Sequence, residues 1–525
     1  MALVSGTRWW FDSENGASDW LIARWLFLRA IGLIYFSAFY SLLFQITGLI
    51  GPRGVLPANE YLQAVARAFP HLTRLWFAPT LLWFGSGDSA LLALCCLGMA
   101  ASLLLTFNLW PRATLLACFV SFLSFVSAAQ DFSGYQSDGM LLEAGFLCLF
   151  FAPAGFRPGW GRTSPPSRAS LFMLRWEWFC VYFGSGVVKL ASGDPQWRNM
   201  TAMDEYYQNG PLPTWVGWYV QHLPHWFHAF AAYATLALEL GLVWMLFLPR
   251  RWRLLCFLIV TVWQIPVILT ANYTFLNYLV LFLGILLVDD GFLTRLLPAR
   301  WRAELTKESG VRRPEAGTAR HTLHALQTVF AAVMMTWIFY STAAQLVMTL
   351  ARVPLPTSPI TALEPFRIAD RYGLFAVMTR GRYEIEFQGS PDGENWTAYP
   401  FRYKPQDLSQ APRIYAPYQP RFDWNLWFAS LGSWREYPIV TNTEVQLLSN
   451  NRDVLSLFAA NPFPSGPPRI VRAVLWQYWF TSMAEKHATG HWWRRQFLGL
   501  YAPALRLQAE GRVVVVEWPS LGPAE

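Results

Sequence analysis

Charged residues are scarce in this chain. Of its 525 residues, 14% are charged, against roughly 25% in soluble globular proteins. Hydrophobic residues make up 54% of the sequence and aromatic residues 17%. Such a composition argues against an ordinary soluble enzyme. It predicts a polytopic membrane protein, in which each long apolar stretch crosses the bilayer.

The chain also lacks the short motifs that mark common catalytic sites. It contains no GxSxG elbow, HExxH pair, Walker loop or dinucleotide fingerprint, and we therefore expect no cofactor. Its six cysteines lie in apolar segments and form no Cys-x-x-Cys pair, which argues against the disulfide framework of a secreted domain. The net charge of +8 comes from basic residues in short loops, so we read it as a topology signal and expect no nucleic acid partner.

Long apolar segments divide the first 350 residues. We place membrane helices at residues 20–47, 88–108, 112–130, 138–153, 171–191, 228–248, 253–270, 274–289 and 322–350. The segments 138–153 and 274–289 are shorter than the ~20 residues that a straight span needs. The sequence thus predicts a polytopic α-helical bundle of about nine helices, with a margin of one or two.

The basic residues of the loops are distributed unequally between the two sides. Fourteen fall on one side, namely Arg112, Arg157, Arg162, Arg168, Arg250, Arg251, Arg253, Arg295, Arg300, Arg302, Lys307, Arg312, Arg313 and Arg320, and four on the other, namely Arg53, Arg67, Arg74 and Arg198. Because positive residues concentrate in cytoplasmic loops, we predict a cytoplasmic N-terminus. Nine helices would place the residues after 350 on the far side, whereas an even number would reverse that placement.

Residues 351–525 have a different character. Side-chain types alternate over residues 382–390, and the turn sequence Pro391-Asp392-Gly393 separates them from a second strand-like run at 396–403. Residues 443–459 are typical of a helix, and strand-like runs follow at 469–481, 491–500 and 512–518. We predict two domains: a helical membrane domain at 1–350 and a β-rich α+β extracytoplasmic domain at 351–525.

Three ionisable residues in the predicted helices are candidates for a site, because an unpaired charge in a bilayer costs at least ~2.5–3.5 kcal/mol. Lys189 is the only lysine in these helices, and Glu143 and Glu239 are the candidate partners. The first interpretation is a structural ion pair of Lys189 with either carboxylate. A second is a desolvated lysine that acts as a catalytic base, and a third is a side chain that extends to the interface.

Histidine and tryptophan clusters supply further candidates. His222, His225 and His228 have a spacing that suits a metal site, but aromatic neighbours favour an interfacial anchor. In the predicted outer domain, two segments are dense in the residue types of binding hot spots. They contain Arg421, Trp424, Trp427, Trp492 and Trp493. These five residues either bind a partner protein or pack in the core of the domain.

The chain resembles the lipase maturation factor family nearly from end to end. The resemblance rests on residues 48–51, 54–58, 136–138, 141–143, 183–190 (FGSGVVKL), 197–201 (WRNMT), 223–228, 272–275, 289–290, 372–375 (YGLF), 419–424 (QPRFDW), 461–463 and 490–493 (GHWW). Each motif is short, but their order over about 500 residues is specific. The segment around Lys189 is also similar to the lysine segment of vitamin K-dependent gamma-carboxylase, in which that lysine is the base.

The family resemblance implies a multipass membrane chaperone that helps secreted lipases to fold and assemble. It implies the endoplasmic reticulum membrane in a eukaryote, whereas a bacterial chain would lie in the inner membrane. It also implies that the C-terminal domain binds the client proteins. The carboxylase similarity supplies the alternative, an intramembrane carboxylase-like or oxidoreductase enzyme with Lys189 as base.

Overall fold

The structure is a computed structural model, and it describes residues 9–12, 16–308, 318–351, 353–508 and 511–519. The first part is helical. In chain order its helices are α1 (Leu21–Leu43), α2 (Ile46–Ile50), α3 (Ala58–Ala68), α4 (Thr73–Phe77), α5 (Asp88–Thr106), α6 (Pro111–Val126), α7 (Gln136–Phe151), α8 (Arg168–Ala191), α9 (Pro195–Arg198), α10 (Tyr206–Asn209), α11 (Trp215–Gln221), α12 (His225–Leu240), α13 (Arg250–Thr270), α14 (Leu276–Gly284), α15 (Asp290–Leu296), α16 (Ala299–Glu308) and α17 (Thr318–Ala351). Short 3-10 helices cover Ser18–Trp20, Leu81–Trp83, Gln130–Ser133, Leu242–Phe247 and Ile285–Leu287.

Five of the helical stretches in the described chain are long and apolar enough to cross a bilayer. They are Ser18–Leu43, Asp88–Thr106, His225–Phe247, Arg250–Thr270 and His324–Ala351. A sixth span results if the bent pair Leu276–Leu287 and Asp290–Leu296 counts as one, with its bend of 110°. All nine predicted segments are helical, but α7 has only 16 residues, about 24 Å of helix against a hydrocarbon core of ~30 Å. The membrane bundle is therefore confirmed, and the number nine stays a prediction.

Glycines allow the first helix to approach its main partner. α1 packs along α5, and also against α6, α7 and α14. A Cβ atom on Gly32 of α1 would lie 2.5 Å from the Thr106 hydroxyl, and one on Gly98 of α5 would lie 2.4 Å from the Phe39 ring. Small residues at such crossings let helix backbones pack closely in a membrane.

Basic residues gather at the end of the bundle where α1 begins. The buried Arg24 side chain donates hydrogen bonds to the carbonyl oxygens of Trp160 (3.0 Å) and Gly161 (2.9 Å). At the same end, the Arg250 guanidinium pairs with Asp289 across the start of α13. We call this the basic end.

The C-terminal part contains a six-stranded antiparallel sheet, as predicted for a β-rich region. Its strands are β1 (Arg382–Ser390), β2 (Thr397–Ala398), β3 (Ile470–Phe480), β4 (Trp493–Leu500), β5 (Ala504–Leu507) and β6 (Val513–Glu517). The order is β2-β1-β3-β5-β6, and β4 pairs with β3 beside that path. The helices here are α18 (Ser358–Thr361), α19 (Arg421–Ser430), α20 (Pro438–Leu448), α21 (Arg452–Leu455) and α22 (Met483–Thr489), with a 3-10 turn at Glu364–Phe366.

Four predicted strands match β1, β3, β4 and β6 to within two residues at each end. The predicted run 396–403 shrinks to the two residues of β2, and β5 and α19 were not predicted. The predicted helix 443–459 begins earlier and is interrupted between α20 and α21. We call residues 380–508 with 511–519 the outer domain.

The outer domain lies at the end of the bundle opposite the basic end. Side-chain amides of the outer domain bond the loops there: Asn442 donates to the Val55 carbonyl (3.1 Å), and Asn425 donates to the Asp131 carbonyl (2.8 Å). From the loop after α13, Asn272 donates to the Arg413 carbonyl (2.8 Å). These loops follow helices that start near the basic residues, so the outer domain and the basic end are separated by the length of the bundle.

Candidate functional site between the helices and the outer domain

A segment without regular helix or strand, residues 368–379, connects the bundle to the outer domain by crossing α7 and α8. We call it the strap. The Glu143 carboxylate on α7 accepts hydrogen bonds from the Asp370 backbone N–H (2.9 Å) and the Tyr372 hydroxyl (2.9 Å). The Gly373 N–H donates to the Gln136 side chain at 3.1 Å. Glu143 therefore holds the strap and does not contact Lys189, in contrast to one of the predicted pairings.

The small residues before Lys189 create room for the strap and for α12. A Cβ atom on Gly184 would lie 2.8 Å from the Tyr372 carbonyl oxygen, and one on Gly186 would lie 2.9 Å from the Glu239 Cβ atom. Between them, the Ser185 hydroxyl accepts a hydrogen bond from the Leu374 N–H at 3.1 Å. The Gly-Ser-Gly run thus brings the strap and α12 against the same turn of α8.

Lys189 lies one turn further along α8 and binds both neighbours. Its Nζ atom is 2.9 and 2.8 Å from the two Glu239 carboxylate oxygens and 3.1 Å from the Leu374 carbonyl oxygen. Its side chain is 2% exposed. An ammonium group has three N–H donors, and all three have an acceptor here. Of the three interpretations made from the sequence, this geometry corresponds to the ion pair with Glu239, and a role of Lys189 as a base stays a prediction.

Further bonds fix the second half of the strap to the loop after α8. The Trp197 indole donates to the Phe375 carbonyl (3.0 Å), and the Asp194 carboxylate accepts from the Met378 N–H (2.7 Å). The Asn209 side chain donates to the Thr379 carbonyl at 2.8 Å. The strap is therefore bonded to the bundle along its whole length.

A second anchor joins the outer domain to the bundle through Arg421. Its two Nη atoms lie 2.7 Å from the two oxygens of Asp138, at the start of α7, and one also donates to the Phe132 carbonyl at 2.6 Å. Both side chains of the pair are buried, with exposures of 2% and 0%. A bidentate pair in this environment fixes both position and orientation.

The predicted client-binding tryptophans are largely buried. Trp424, Trp427 and Trp493 are 7%, 8% and 2% exposed. Trp424 packs against the Tyr135 ring from the loop before α7, with centroids 6.1 Å apart. Trp492 is half-buried and contacts the Trp218 ring of α11 at 5.1 Å. These contacts are within the chain, so client binding by these residues stays a prediction that requires them to be uncovered first.

The three histidines do not converge. The ring nitrogens of His222 lie 2.7 Å from the Trp218 carbonyl oxygen and 2.9 Å from that of Thr481 in the outer domain. His225 pairs with Asp204 at 2.9 Å, and His228 is buried at 3% exposure. Among the residues that the structure describes, no three His, Cys, Asp or Glu side chains are grouped to hold a metal ion.

A buried ionic cluster in the outer domain was not predicted. Arg382 is fully buried, pairs with Glu384, and donates to the carbonyl oxygens of Gln208 (3.0 Å) and Pro211 (3.1 Å) in the loop after α8. Burial lowers the pKa of Arg382. Lys404 pairs with the other Glu384 oxygen at 2.8 Å.

Asp423 on α19 borders this cluster. Its carboxylate accepts hydrogen bonds from the backbone N–H groups of Tyr403 and Lys404, both at 3.2 Å. Burial nevertheless raises its pKa to about 6. The alternation of β1 was the available signal for the cluster, because it places Arg382, Glu384 and Glu386 on one face.

The structure combines an apolar helical bundle with a folded domain that is fixed at one end. These features define the class of the protein, which is an integral membrane protein with a docked outer domain. The chain belongs to the lipase maturation factor family, which confirms the predicted resemblance. The family's transmembrane domain matches residues 22–295 and its C-terminal domain matches residues 368–503. The second match begins with the strap. The predicted domain boundary at 350 stays a prediction.

Several relatives align along most of the chain. Lipase maturation factor 1 of Bos taurus is 31% identical over 96% of this chain and 92% of its own length. Lipase maturation factor 2 of Gallus gallus is 31% identical over 92% and 81%, and that of Homo sapiens is 31% identical over 93% and 83%. No solved structure matches the chain.

Proposed function

We propose that this chain helps secreted lipases, or similar secreted clients, to fold and assemble, by binding them on its outer domain at the extracytoplasmic surface. The observation that carries the proposal is the fixed position of the outer domain at the end of the bundle opposite the basic residues. The Arg421–Asp138 pair and the strap hold it there. The relatives' names supply the client class.

The basic end is the cytoplasmic end in this proposal. Arg24, Arg112 and Arg250 belong to that end, and positively charged loops are retained in the cytoplasm. The outer domain then faces the lumen of the endoplasmic reticulum in a eukaryotic cell, or the periplasm in a bacterium. Both compartments receive secreted proteins before they have finished folding.

The edge strand β6 is the surface that we assign to client contact. It stands at one end of the sheet order, and its Val515 and Val516 side chains are 39% and 40% exposed. Trp518, just after the strand, is 62% exposed. An edge strand offers unpaired backbone groups to an extended segment of another chain, and a partly folded client has such segments.

The enzyme alternative is less well supported. It requires an amine at Lys189 that is free to accept a proton, whereas the Nζ atom already donates to two carboxylate oxygens and one carbonyl oxygen. The ion pair instead holds α12 and the strap together.

The test uses cells that lack the chain and express a secreted lipase. Reintroducing the chain should raise the specific activity of the secreted lipase, and the lipase should co-purify with it. Val516→Lys should reduce both effects, since a lysine on an edge strand opposes strand pairing. Met483→Lys is the matched control, because Met483 is 47% exposed on α22 of the same domain.

Two outcomes would count against different parts of the proposal. If lipase activity is the same with and without the chain, the maturation function is wrong for that client class. If the chain is required but Val516→Lys behaves like Met483→Lys at equal membrane levels, the function stands and the assignment of β6 is wrong.

A further inference from the structure

A large apolar cavity lies inside the bundle, beside the Lys189–Glu239 pair. Its volume is about 360 Å³, within the range of small-molecule sites. Helices α8, α12, α13 and α14 form its walls, and the strap closes it on the side of the outer domain through Leu374, Phe375 and Met378. Most of the wall is hydrocarbon or aromatic, including Val181, Phe230, Leu238, Trp263, Val267 and Val280.

The mouth of the cavity faces the bilayer. Phe230 on α12 and Pro266 on α13 both line the cavity and are exposed on the outside of the bundle. Both helices belong to stretches that are long and apolar enough to cross a membrane. Next to the mouth, Tyr233 is 62% and Val262 is 70% exposed. A ligand that enters between α12 and α13 therefore comes from the lipid phase.

The inner part of the cavity carries a few polar groups without net charge. Lys189 and Glu239 neutralise each other, and the Tyr182 hydroxyl donates to the Gln264 side chain at 2.9 Å. The Asn277 side-chain nitrogen is buried and has no hydrogen-bond partner among the described residues. A buried donor without an acceptor is unfavourable, so a ligand oxygen placed there would gain a bond that the protein leaves unmade.

We propose that this cavity binds one neutral long-chain lipid from the bilayer, with a hydroxyl or ester oxygen accepting a hydrogen bond from Asn277 and the acyl chain directed toward the mouth. The apolar wall of the cavity favours the acyl chain of the lipid. The neutral polar end selects an uncharged head, because a carboxylate or phosphate would have no unpaired cation to meet. This inference does not depend on the proposed maturation function.

The test uses the full chain in lipid nanodiscs and a 1-monoacylglycerol with a diazirine in its acyl chain. After irradiation, labelled peptides should come from α12 and α13, and unlabelled 1-monooleoylglycerol should compete better than oleate. Ala231→Trp fills the cavity, since Ala231 lines it, and should abolish the labelling. Ala237→Trp lies on the exposed side of the same helix and should label like the unmodified chain.

A second variant tests the head group. Asn277→Leu removes the donor and should weaken competition by 1-monooleoylglycerol about two- to tenfold, the effect of one hydrogen bond. It should leave labelling by a diazirine-bearing alkane unchanged, which shows that the cavity is still formed. Equal labelling of the two tryptophan variants would overturn the site. Competition by oleate as strong as that by 1-monooleoylglycerol, or no effect of Asn277→Leu, would overturn the choice of a neutral head.

Discussion

Removing Arg421 tests whether the outer domain is held by its buried anchor. Arg421→Met leaves the Asp138 carboxylate at 0% exposure without the cation that it binds through two 2.7 Å hydrogen bonds. Breaking a buried pair in this way costs about 3–5 kcal/mol, because one charge stays buried and uncompensated. Docking should therefore weaken about a hundredfold to a few thousandfold, at ~1.4 kcal/mol for each factor of ten.

Hydrogen exchange measured by mass spectrometry on the full chain in nanodiscs can detect this weakened docking in individual segments. Amides of α19, which carries Arg421, should exchange faster by up to the factor given above, since this helix is exposed when the outer domain undocks. Amides at the basic end, namely at the start of α1 and the end of α5, should be unaffected. The matched control is Arg53→Met, which removes a pair with Asp453 across the same contact. Arg53 is 71% exposed, so this loss should be below about 1 kcal/mol.

The double variant Arg421→Met/Asp138→Leu provides the decisive comparison. Removing both charges leaves apolar side chains in an apolar contact, which is often neutral or stabilising. Most of the protection lost in Arg421→Met should then return. The reasoning is refuted if Arg421→Met and Arg53→Met accelerate exchange equally, or if the double variant exchanges as fast as Arg421→Met.

Three further changes have defined outcomes in thermal unfolding of the full chain. Lys189→Met should lower the unfolding midpoint, and Lys189→Met/Glu239→Leu should restore much of it; a greater loss in the double variant would contradict the ion-pair role. Gly184→Ala should destabilise the chain, because its Cβ would lie 2.8 Å from a strap carbonyl oxygen, whereas Gly466→Ala has open space and should be neutral. Burial raises the pKa of Glu444 well above its usual range, so this carboxyl favours the fold at low pH and opposes it as the pH rises above about 4.3. Glu444→Gln should therefore raise the unfolding midpoint at pH 8 and leave it unchanged near pH 4. A difference in midpoint between the variant and the unmodified chain that is the same at both pH values would show that ionisation of Glu444 is not its cause.

Periodicity and composition predicted the parts of the fold that depend on local sequence. All nine predicted helical segments are helical, side-chain alternation located β1, and a strand-like run located β3, which pairs with β1 along its length. The α19 helix escaped prediction because its residues are buried on nearly all sides, which removes the amphipathic pattern that reveals a helix. β5 has only four residues and lies too close to β4 for a separate signal.

The candidate site could be predicted only in part, because its partners are distant in sequence. Lys189 and Glu239 stand out as charges in apolar helices, and their pairing was one of the alternatives considered. The strap gave no such signal: its bonds to Glu143, Ser185 and Asp194 use mainly its own backbone N–H groups. Backbone groups are the same in every residue, so a sequence does not indicate which of them a distant side chain binds.

Tryptophan and arginine density indicates an interface without indicating the partner. Alanine scanning finds these residue types in protein–protein hot spots. Here they make contacts within the chain: Arg421 pairs with Asp138, and Trp424 packs against Tyr135. The partner is another part of the same chain, so docking loses little translational freedom and outcompetes a client at ordinary concentration. A client that required Trp424 would first have to break the buried ion pair beside it. Under the proposed function, we therefore expect client contact first at side chains that are already exposed, such as Val516 on the sheet edge.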